Sequence, residues 1–144
     1  MKLLLLLFSL ASSTVQMFAQ TNVEKVAGTY EIKFEATNGL IIETLTLNSD
    51  GTYVFHAYER IDQRLSLEGN KYGKGRWMLN TKTITFVTSK EDLDDKHSLD
   101  FTNSKARFII KSPRDTSDRM VKTALQFYES KTDWLTGRTY IKTK

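Results

Sequence analysis

Apolar and polar residues alternate along most of the chain from residue 28 onward, and a period of two is typical of β-strands. Between residues 30 and 37, each apolar residue is followed by a charged residue or a threonine. Successive side chains of a strand point to opposite faces, so this segment is predicted to be a strand with one buried face. The dipeptide Asn38-Gly39 favours a type I′ hairpin turn, after which a second strand begins at Leu40.

The segment 43–55 carries the clearest hairpin signal. Its Asn-Ser-Asp-Gly sequence suits a type I turn closed by a glycine in the left-handed region. Such a turn places Leu47 opposite Tyr53 and Leu45 opposite Phe55. The large apolar side chains then share one face, so turn chemistry and hydrophobic pattern predict the same register.

The segment 77–86 repeats this arrangement around a turn at its centre. The predicted register places Trp77 opposite Phe86 and Leu79 opposite Ile84, again on one face. Glycines on the Trp77 face of the same strand leave space there, as expected at a bend or a close crossing of backbones: Gly73 and Gly75.

About eight strands follow one another, mostly through short hairpins. Parallel α/β folds are excluded because no strand is followed by a crossover of helix length. The order favours an all-β fold, a single antiparallel up-and-down barrel, with a β-sandwich as the alternative. The remaining predicted elements are a helical turn at 22–27, a mobile acidic loop at 89–100, strands at 105–111, 120–129 and 137–142, and a turn cluster at 112–118.

The length of 144 residues predicts one domain, and the absence of cysteine excludes disulfide scaffolds, cysteine-ligated metal and cysteine nucleophiles. The net charge is +4, and residues 105–144 hold ten of the 21 basic residues but only four acidic ones. These basic residues occur in no continuous run. Solvated strand faces are therefore favoured over a nucleic-acid surface, and no nucleic-acid partner is expected.

The first residues have the organisation of a secretory signal peptide. Lys2 precedes the unbroken apolar run 3–8, and small residues follow it. The run is too short for a transmembrane span, which needs about 20 apolar residues. We expect a signal peptide at 1–19 and a barrel domain at 20–144. Export to a bacterial periplasm or to the exterior is the predicted localisation, since a cysteine-free exported chain fits that setting best.

Three short motifs resemble those of the lipocalin-like proteins of the calycin group, especially small exported bacterial forms. They are Gly28-Thr29-Tyr30, the Leu-x-Leu-x-x-Asp-Gly-x-Tyr hairpin at 45–53, and Gly75-Arg76-Trp77. The resemblance implies an eight-stranded barrel whose cup holds a small apolar ligand. Lipocalins proper have a tryptophan where this chain has Tyr30, and often stack a late arginine on it. The resemblance therefore implies that Arg138 stacks on Tyr30.

Most residue patterns of common catalytic sites are missing, and we expect the protein not to be an enzyme. One alternative stays open, because Glu43 and Glu59 lie on nearby predicted strands and could form the carboxylate pair of a retaining glycosidase. His56 is predicted on the outer face of its strand, and His97 in the acidic loop, without the spacing of a zinc site. There is no Gly-x-Ser-x-Gly motif. The carboxylates of segment 92–95 lack the glycine and terminal glutamate of an EF-hand loop, so solvated charge is favoured over a calcium site. No catalytic residue, metal or cofactor is predicted.

Glu43 is the unusual residue of the predicted inner face. A carboxylate there must be paired, neutral or close to an opening. Arg76 is predicted on the outer face and is therefore not its partner. Two interpretations remain: the strand bulges before Leu45, or Glu43 is a rim group that fixes the polar head of a ligand.

The sequence thus favours a non-enzymatic protein that binds a small, largely apolar ligand in a barrel cup. The alternative is a solid-cored scaffold that binds an envelope protein through loops at 61–71, 89–100 and 112–119. The predicted ligand-binding residues are Tyr30, Phe34, Glu43, Leu45, Phe55, Trp77, Phe86, Phe108 and Phe127.

Overall fold

The computed structural model of the protein describes residues 22–62 and 66–144, so the predicted signal peptide lies outside the described residues. The fold is all-β. A single helical turn at 22–26 precedes the strands, and a short 3₁₀ helix at Lys90–Asp92 lies between the fifth and sixth of them. The strands are β1 (Gly28–Ala36), β2 (Gly39–Leu47), β3 (Thr52–Asp62), β4 (Ser66–Asn80), β5 (Thr83–Val87), β6 (His97–Leu99), β7 (Lys105–Ile109), β8 (Ala124–Glu129) and β9 (Thr139–Lys142).

Eight of these strands form a closed antiparallel barrel, which confirms the barrel rather than the sandwich. The strand order is β3-β2-β1-β9-β8-β7-β5-β4, and pairing between β3 and β4 closes the ring. The three-residue strand β6 is added outside the ring, parallel to β4 at Tyr72 and Gly73. Among the described residues, no helix is long and apolar enough to cross a membrane.

Both predicted hairpin registers are confirmed. Leu47 pairs with Tyr53 and Leu45 with Phe55 across β2 and β3. Trp77 pairs with Phe86 across β4 and β5. The local turn residues and the apolar faces therefore specify the same structure.

Gly51 occupies the left-handed turn position predicted for it, with φ at +87°. Replacing Gly51 with alanine is expected to lower the free energy of unfolding by about 1 kcal/mol, because a Cβ atom is strained in that conformation. Urea denaturation measures the effect. Gly69→Ala is the matched control, since its added Cβ meets nothing within 4 Å and its φ is not positive. Equal midpoints for Gly51→Ala and the unaltered protein would show that the turn does not require glycine.

The first hairpin turns one residue earlier than predicted. Ala36 pairs with Gly39, so the connecting residues are Thr37 and Asn38. Among the described residues, positive φ angles occur at Gly28, Gly51, Gly137, Thr81 and Asn103, and not in this turn. The type I′ assignment at Asn38-Gly39 is therefore wrong, because that turn needs positive φ at both central residues.

The predicted irregular segments also need correction. Residues 61–62 and 66–71 belong to strands, because β3 and β4 pair from Asp62–Ser66 onward. The acidic segment 89–100 contains the 3₁₀ helix and β6, and its Ser89 and Asp92 form a reciprocal capping box. Three strands are shorter than predicted. They end at Ile109 and begin at Ala124 and Thr139, where the continuous strand pairing stops.

Aromatic side chains fill the interior of the barrel. Tyr53 and Phe86 meet edge to face with ring centroids 5.2 Å apart, and Phe86 stacks on Phe127 at the same separation. Gly75 marks the predicted close crossing, since an added Cβ there would lie 2.3 Å from the Val87 carbonyl oxygen. The space beside Trp77 is therefore occupied by the protein itself.

The barrel has two different ends. The mouth end is formed by the turn at 37–38, the outer parts of β3 and β4, and the segments 88–104 and 130–138. The base end is formed by the helical turn at 22–26, the turns at 48–51 and 81–82, the segment 110–123 and the final residues 143–144.

Candidate functional site

Seven of the nine predicted ligand-binding residues lie in the core rather than around an open space. Phe55, for example, contacts the buried ring of Phe101 with centroids 5.0 Å apart. These side chains contact one another and other core residues. They limit how deep a cavity can extend into the barrel and contribute little to its lining. The seven buried residues are Tyr30, Leu45, Phe55, Trp77, Phe86, Phe108 and Phe127.

The other two predicted residues, Phe34 and Glu43, lie at the mouth end. The Phe34 side chain is 45% exposed, whereas Glu43 is 4% exposed. Strand β2 pairs without interruption from Gly39 to Leu47 on both sides, so the bulge interpretation of Glu43 is wrong. Glu43 points into the barrel just below its opening.

Glu43 is held by two donors from the last strand and the residue before it. The Arg138 guanidinium Nη1 donates to one carboxylate oxygen. The Tyr140 hydroxyl donates to the other at 2.6 Å. Burial raises the pKa of Tyr140, so its hydroxyl keeps the proton that it donates. Both carboxylate oxygens are thus engaged, which makes this buried charge tolerable.

Arg138 is sandwiched between aromatic rings as well as paired with Glu43. Its guanidinium carbon lies 4.9 Å from the Trp134 ring centroid and 5.4 Å from that of Phe34. The stacking on Tyr30 implied by the resemblance is not found, since the cation over Tyr30 is the Lys142 ammonium at 5.7 Å. The two aromatic contacts and the ion pair together hold the guanidinium in place at the mouth end.

A cavity of about 260 Å³ opens directly above this group. Its floor is the pair of Glu43 and Arg138, and the Trp134 ring forms one wall. Apolar and polar groups therefore meet in one small space, as in binding sites where a few polar groups orient a ligand. The lining residues are Ile41, Glu43, Ala57, Glu59, Gly69, Asn70, Lys71, Trp134 and Arg138.

A second hollow of about 290 Å³ adjoins the first, and the two share Ile41 and Glu59. It lies on the inner face of the projecting parts of β1, β2 and β3. Large apolar side chains are exposed around it, and Leu67 at the far strand β4 is 62% exposed. Phe34, Ile61 and Leu67 together form an uncovered apolar lip at the mouth end.

Three residues of the core and the site are not predictable from strand periodicity, because they lie in irregular segments: Trp134, Phe101 and Leu135. Phe101 and Leu135 are fully buried, and Trp134 contacts Phe55 with ring centroids 5.9 Å apart. The segment 130–138 therefore plugs the upper barrel with side chains from irregular backbone. A tryptophan and a leucine within a polar turn sequence are the signal that would have indicated this packing.

The two histidines lie outside the barrel. The His56 ring stacks on Tyr72 with centroids 4.6 Å apart, as its predicted outward position allows. The His97 ring bonds to the Asp94 carboxylate at 2.9 Å. Among residues 22–62 and 66–144, no group of three or more His, Cys, Asp or Glu side chains is arranged to hold a metal ion.

The Asp94 carboxylate organises the ordered acidic segment. Hydrogen bonds from the His97 backbone and ring, and from Lys74, hold the pKa of Asp94 well below its usual range. In the unfolded chain this pKa is about 3.9. A depressed pKa stabilises the fold above the unfolded value, and this stabilisation is lost as the pH falls through the folded value.

Asp94→Ala is therefore expected to lower the melting temperature at neutral pH. The difference from the unaltered protein should shrink below about pH 4, where the Asp94 carboxylate of the unfolded chain begins to protonate while that of the folded chain stays ionised. Thermal denaturation across a pH series measures both effects. Asp95→Ala is the matched control. Asp95 is the exposed neighbour of Asp94, and its replacement should change neither the melting temperature nor the pH dependence. A difference independent of pH down to strong acid would contradict the ionic role of Asp94.

The closed antiparallel barrel of eight strands is compatible with the lipocalin-like fold that the sequence motifs resemble. No family model, curated protein or solved structure matches the chain. A barrel of this kind hosts many unrelated activities, so fold alone does not give function. Function has to be inferred from the residues of the mouth.

Proposed function

We propose that the protein is a non-enzymatic binding protein that holds one small amphiphile in the mouth cavity. The ligand has a short apolar body and an anionic head. The observation that carries this proposal is the cavity of about 260 Å³ with the stacked Arg138 guanidinium in its floor and the Trp134 ring in its wall.

The anionic head follows from the donors that remain available in the floor. Glu43 already accepts from Arg138 and Tyr140, so its charge is offset within the protein. Arginine has five N–H donors, and among the described residues the Arg138 side chain donates only to Glu43. The remaining Arg138 donors favour a carboxylate or a similar oxyanion, and the Lys71 ammonium offsets the charge of Glu59, the second carboxylate of the lining.

The short apolar body follows from the packing below. Phe55, Phe101 and Tyr140 fill the barrel under the floor, with Phe55 and Tyr140 ring centroids 6.4 Å apart. A ligand therefore stays above Glu43 rather than entering the barrel. Drug-sized sites span about 300–1,000 Å³, so a cavity slightly smaller than that range suits a chain of about eight carbons or a single ring.

Octanoate and 1-octanol test the cavity, because they share an eight-carbon chain and differ in the head, which is a carboxylate in octanoate and a neutral hydroxyl in octanol. In a Trp77→Phe background, Trp134 is the remaining tryptophan and lies in the cavity wall. Octanoate is expected to change its emission saturably, and octanol to bind more than tenfold more weakly, because charged hydrogen bonds contribute about 1.5–3 kcal/mol.

Lys71→Gln should weaken octanoate binding, whereas the exposed Lys90→Gln variant outside the cavity should not. Equal affinities for octanoate and octanol would contradict the anionic head. No saturable change in Trp134 emission, for these ligands and for several lipid classes, would contradict a ligand site in the mouth.

An interaction scaffold is the second candidate, because the interior is filled and the lip is uncovered. Among the described residues, positions 66–71 of β4 pair only with β3, and Leu67 within this stretch is exposed. An open strand edge is a template for adding a strand from another chain. This account becomes the better one if the mouth shows no saturable ligand binding.

Export to a bacterial periplasm or to the exterior also belongs to the proposal. It rests on the charged, apolar and small residues of segment 1–19. Sequencing the N-terminus of the native protein tests it. A mature chain that begins near Gln20 is expected, and a retained Met1 would contradict removal of a signal peptide.

A further inference from the structure

The two ends of the barrel carry opposite charge. The base-end segments 22–29, 48–52, 80–84, 110–124 and 141–144 hold eight Lys and Arg against four Asp and Glu. The mouth end holds seven Lys and Arg against twelve Asp and Glu, counted over the described segments 32–43, 57–62, 66–71, 88–104 and 129–138. Such a separation creates a field that orients the molecule toward a charged surface.

A shallow, open surface depression lined by lysines lies at the base end, and we call it the cleft. Lys122, Lys142 and Lys144 line it together with threonine and isoleucine, and no acidic side chain among the described residues does. The backbone brings these lysines together, because the Lys142 N–H donates to the Thr123 carbonyl at 2.8 Å.

The segment 110–123 adds exposed apolar groups beside this cleft. Met120 is 88% exposed and Ile110 is 40% exposed. The segment is ordered by its own bonds, since the Asp115 carboxylate accepts from Ser117 and from Arg119. That pairing neutralises one acidic charge of the base end, and Met120 follows directly after Arg119.

We infer that the base end docks on an anionic phospholipid bilayer. Lysines surround the lipid phosphates, and Met120 enters the boundary between headgroups and acyl chains. Basic clusters beside exposed apolar side chains are the chemistry that binds such surfaces. A nucleic acid would use the lysines but would leave Met120 and Ile110 in water, so the bilayer fits both observations better. The inference does not depend on the proposed ligand, because the mouth lies at the other end.

Co-sedimentation with vesicles tests the docking surface. The protein is expected to bind vesicles that mix phosphatidylcholine with phosphatidylglycerol and to leave phosphatidylcholine vesicles free, with binding that weakens as salt rises. The double variant Lys122→Gln/Lys144→Gln should bind at least about tenfold more weakly. Met120→Ser should lose binding severalfold, since it removes the inserted apolar group.

Matched variants at the mouth end serve as controls. Lys90→Gln/Lys131→Gln removes two exposed lysines, and Leu67→Ser removes an exposed apolar side chain. Both should bind vesicles as the unaltered protein does, and denaturation midpoints should confirm that all variants fold.

Several results would overturn the inference. These are equal binding to both vesicle types, equal losses in the control variants, and full binding by Met120→Ser. Binding of inorganic phosphate or of short duplex DNA, without binding to anionic vesicles, would also overturn it. Failure of octanoate to bind in the mouth would leave the inference intact, so the two proposals fail separately.

Discussion

Trp77→Ala is expected to lower the free energy of unfolding by about 3–5 kcal/mol, as large core truncations do. Trp77 is 4% exposed and pairs across strands with Phe86. Its indole Nε1 donates to the Asn48 carbonyl at 2.9 Å, so the substitution also removes a partner from that carbonyl. Urea denaturation measures the loss. A loss under about 1 kcal/mol would mean that the core collapses around the deletion.

The same variant separates core packing from ligand binding. Trp77 does not line the mouth cavity, whereas Trp134 does. Octanoate affinity should therefore stay unchanged in Trp77→Ala at temperatures where the protein is folded. Trp77→Phe is the control, because it keeps an aromatic ring in the core and should cost much less stability. A large change in octanoate affinity would place the binding site near the base end instead.

Arg138→Met is expected to lower the free energy of unfolding by about 3 kcal/mol, because it leaves Glu43 buried and charged beside a single donor. The value lies at the lower end of the usual range since the Arg138 side chain is 24% exposed. Chemical denaturation of the single variants and the double variant measures the effect and its origin.

Glu43→Gln is the partner substitution. In the double variant the buried charge is gone and Tyr140 can still donate to the amide oxygen, so at least about 1 kcal/mol of the loss should be recovered. Lys71→Met at the rim is the control for loss of a mouth cation that forms no salt bridge among the described residues, and its effect should be small. Strictly additive losses in the Glu43 and Arg138 cycle would show that the two residues are not coupled.

Local turn chemistry explains why the hairpins were predictable. At Gly51 the turn type, the required left-handed residue and the apolar pairs all indicate one register. The first hairpin differs, because a turn placed one residue earlier shifts the strand register by two residues. A shift of two leaves every side chain on the same face of the sheet. The hydrophobic pattern therefore cannot distinguish Tyr30 opposite Leu45, as found, from Tyr30 opposite Leu47.

The site was predictable only in part, because its groups meet through the closure of the barrel. Glu43 was identified as unusual from its face, but Arg138 is 95 residues away in sequence. Trp134 packs from an irregular segment, which carries no periodic signal. The order of segment 89–100 depends on the Asp94 hydrogen bonds and on pairing with β4, and composition indicates neither.

The pairing of β1 with β9 has a consequence for how the chain folds. Thr29 and Thr143, which are 114 residues apart, hydrogen-bond to each other at the seam. The entropy of closing a loop rises with its length, and contacts between distant segments slow folding. Until the last strand is available, β1 and β8 each present an unpaired edge, and Glu43 lacks both donors. The ring therefore completes only after synthesis of the whole domain, and we expect closure of the seam and burial of the Glu43 charge to occur together, because β9 brings both the seam partner and the Tyr140 donor.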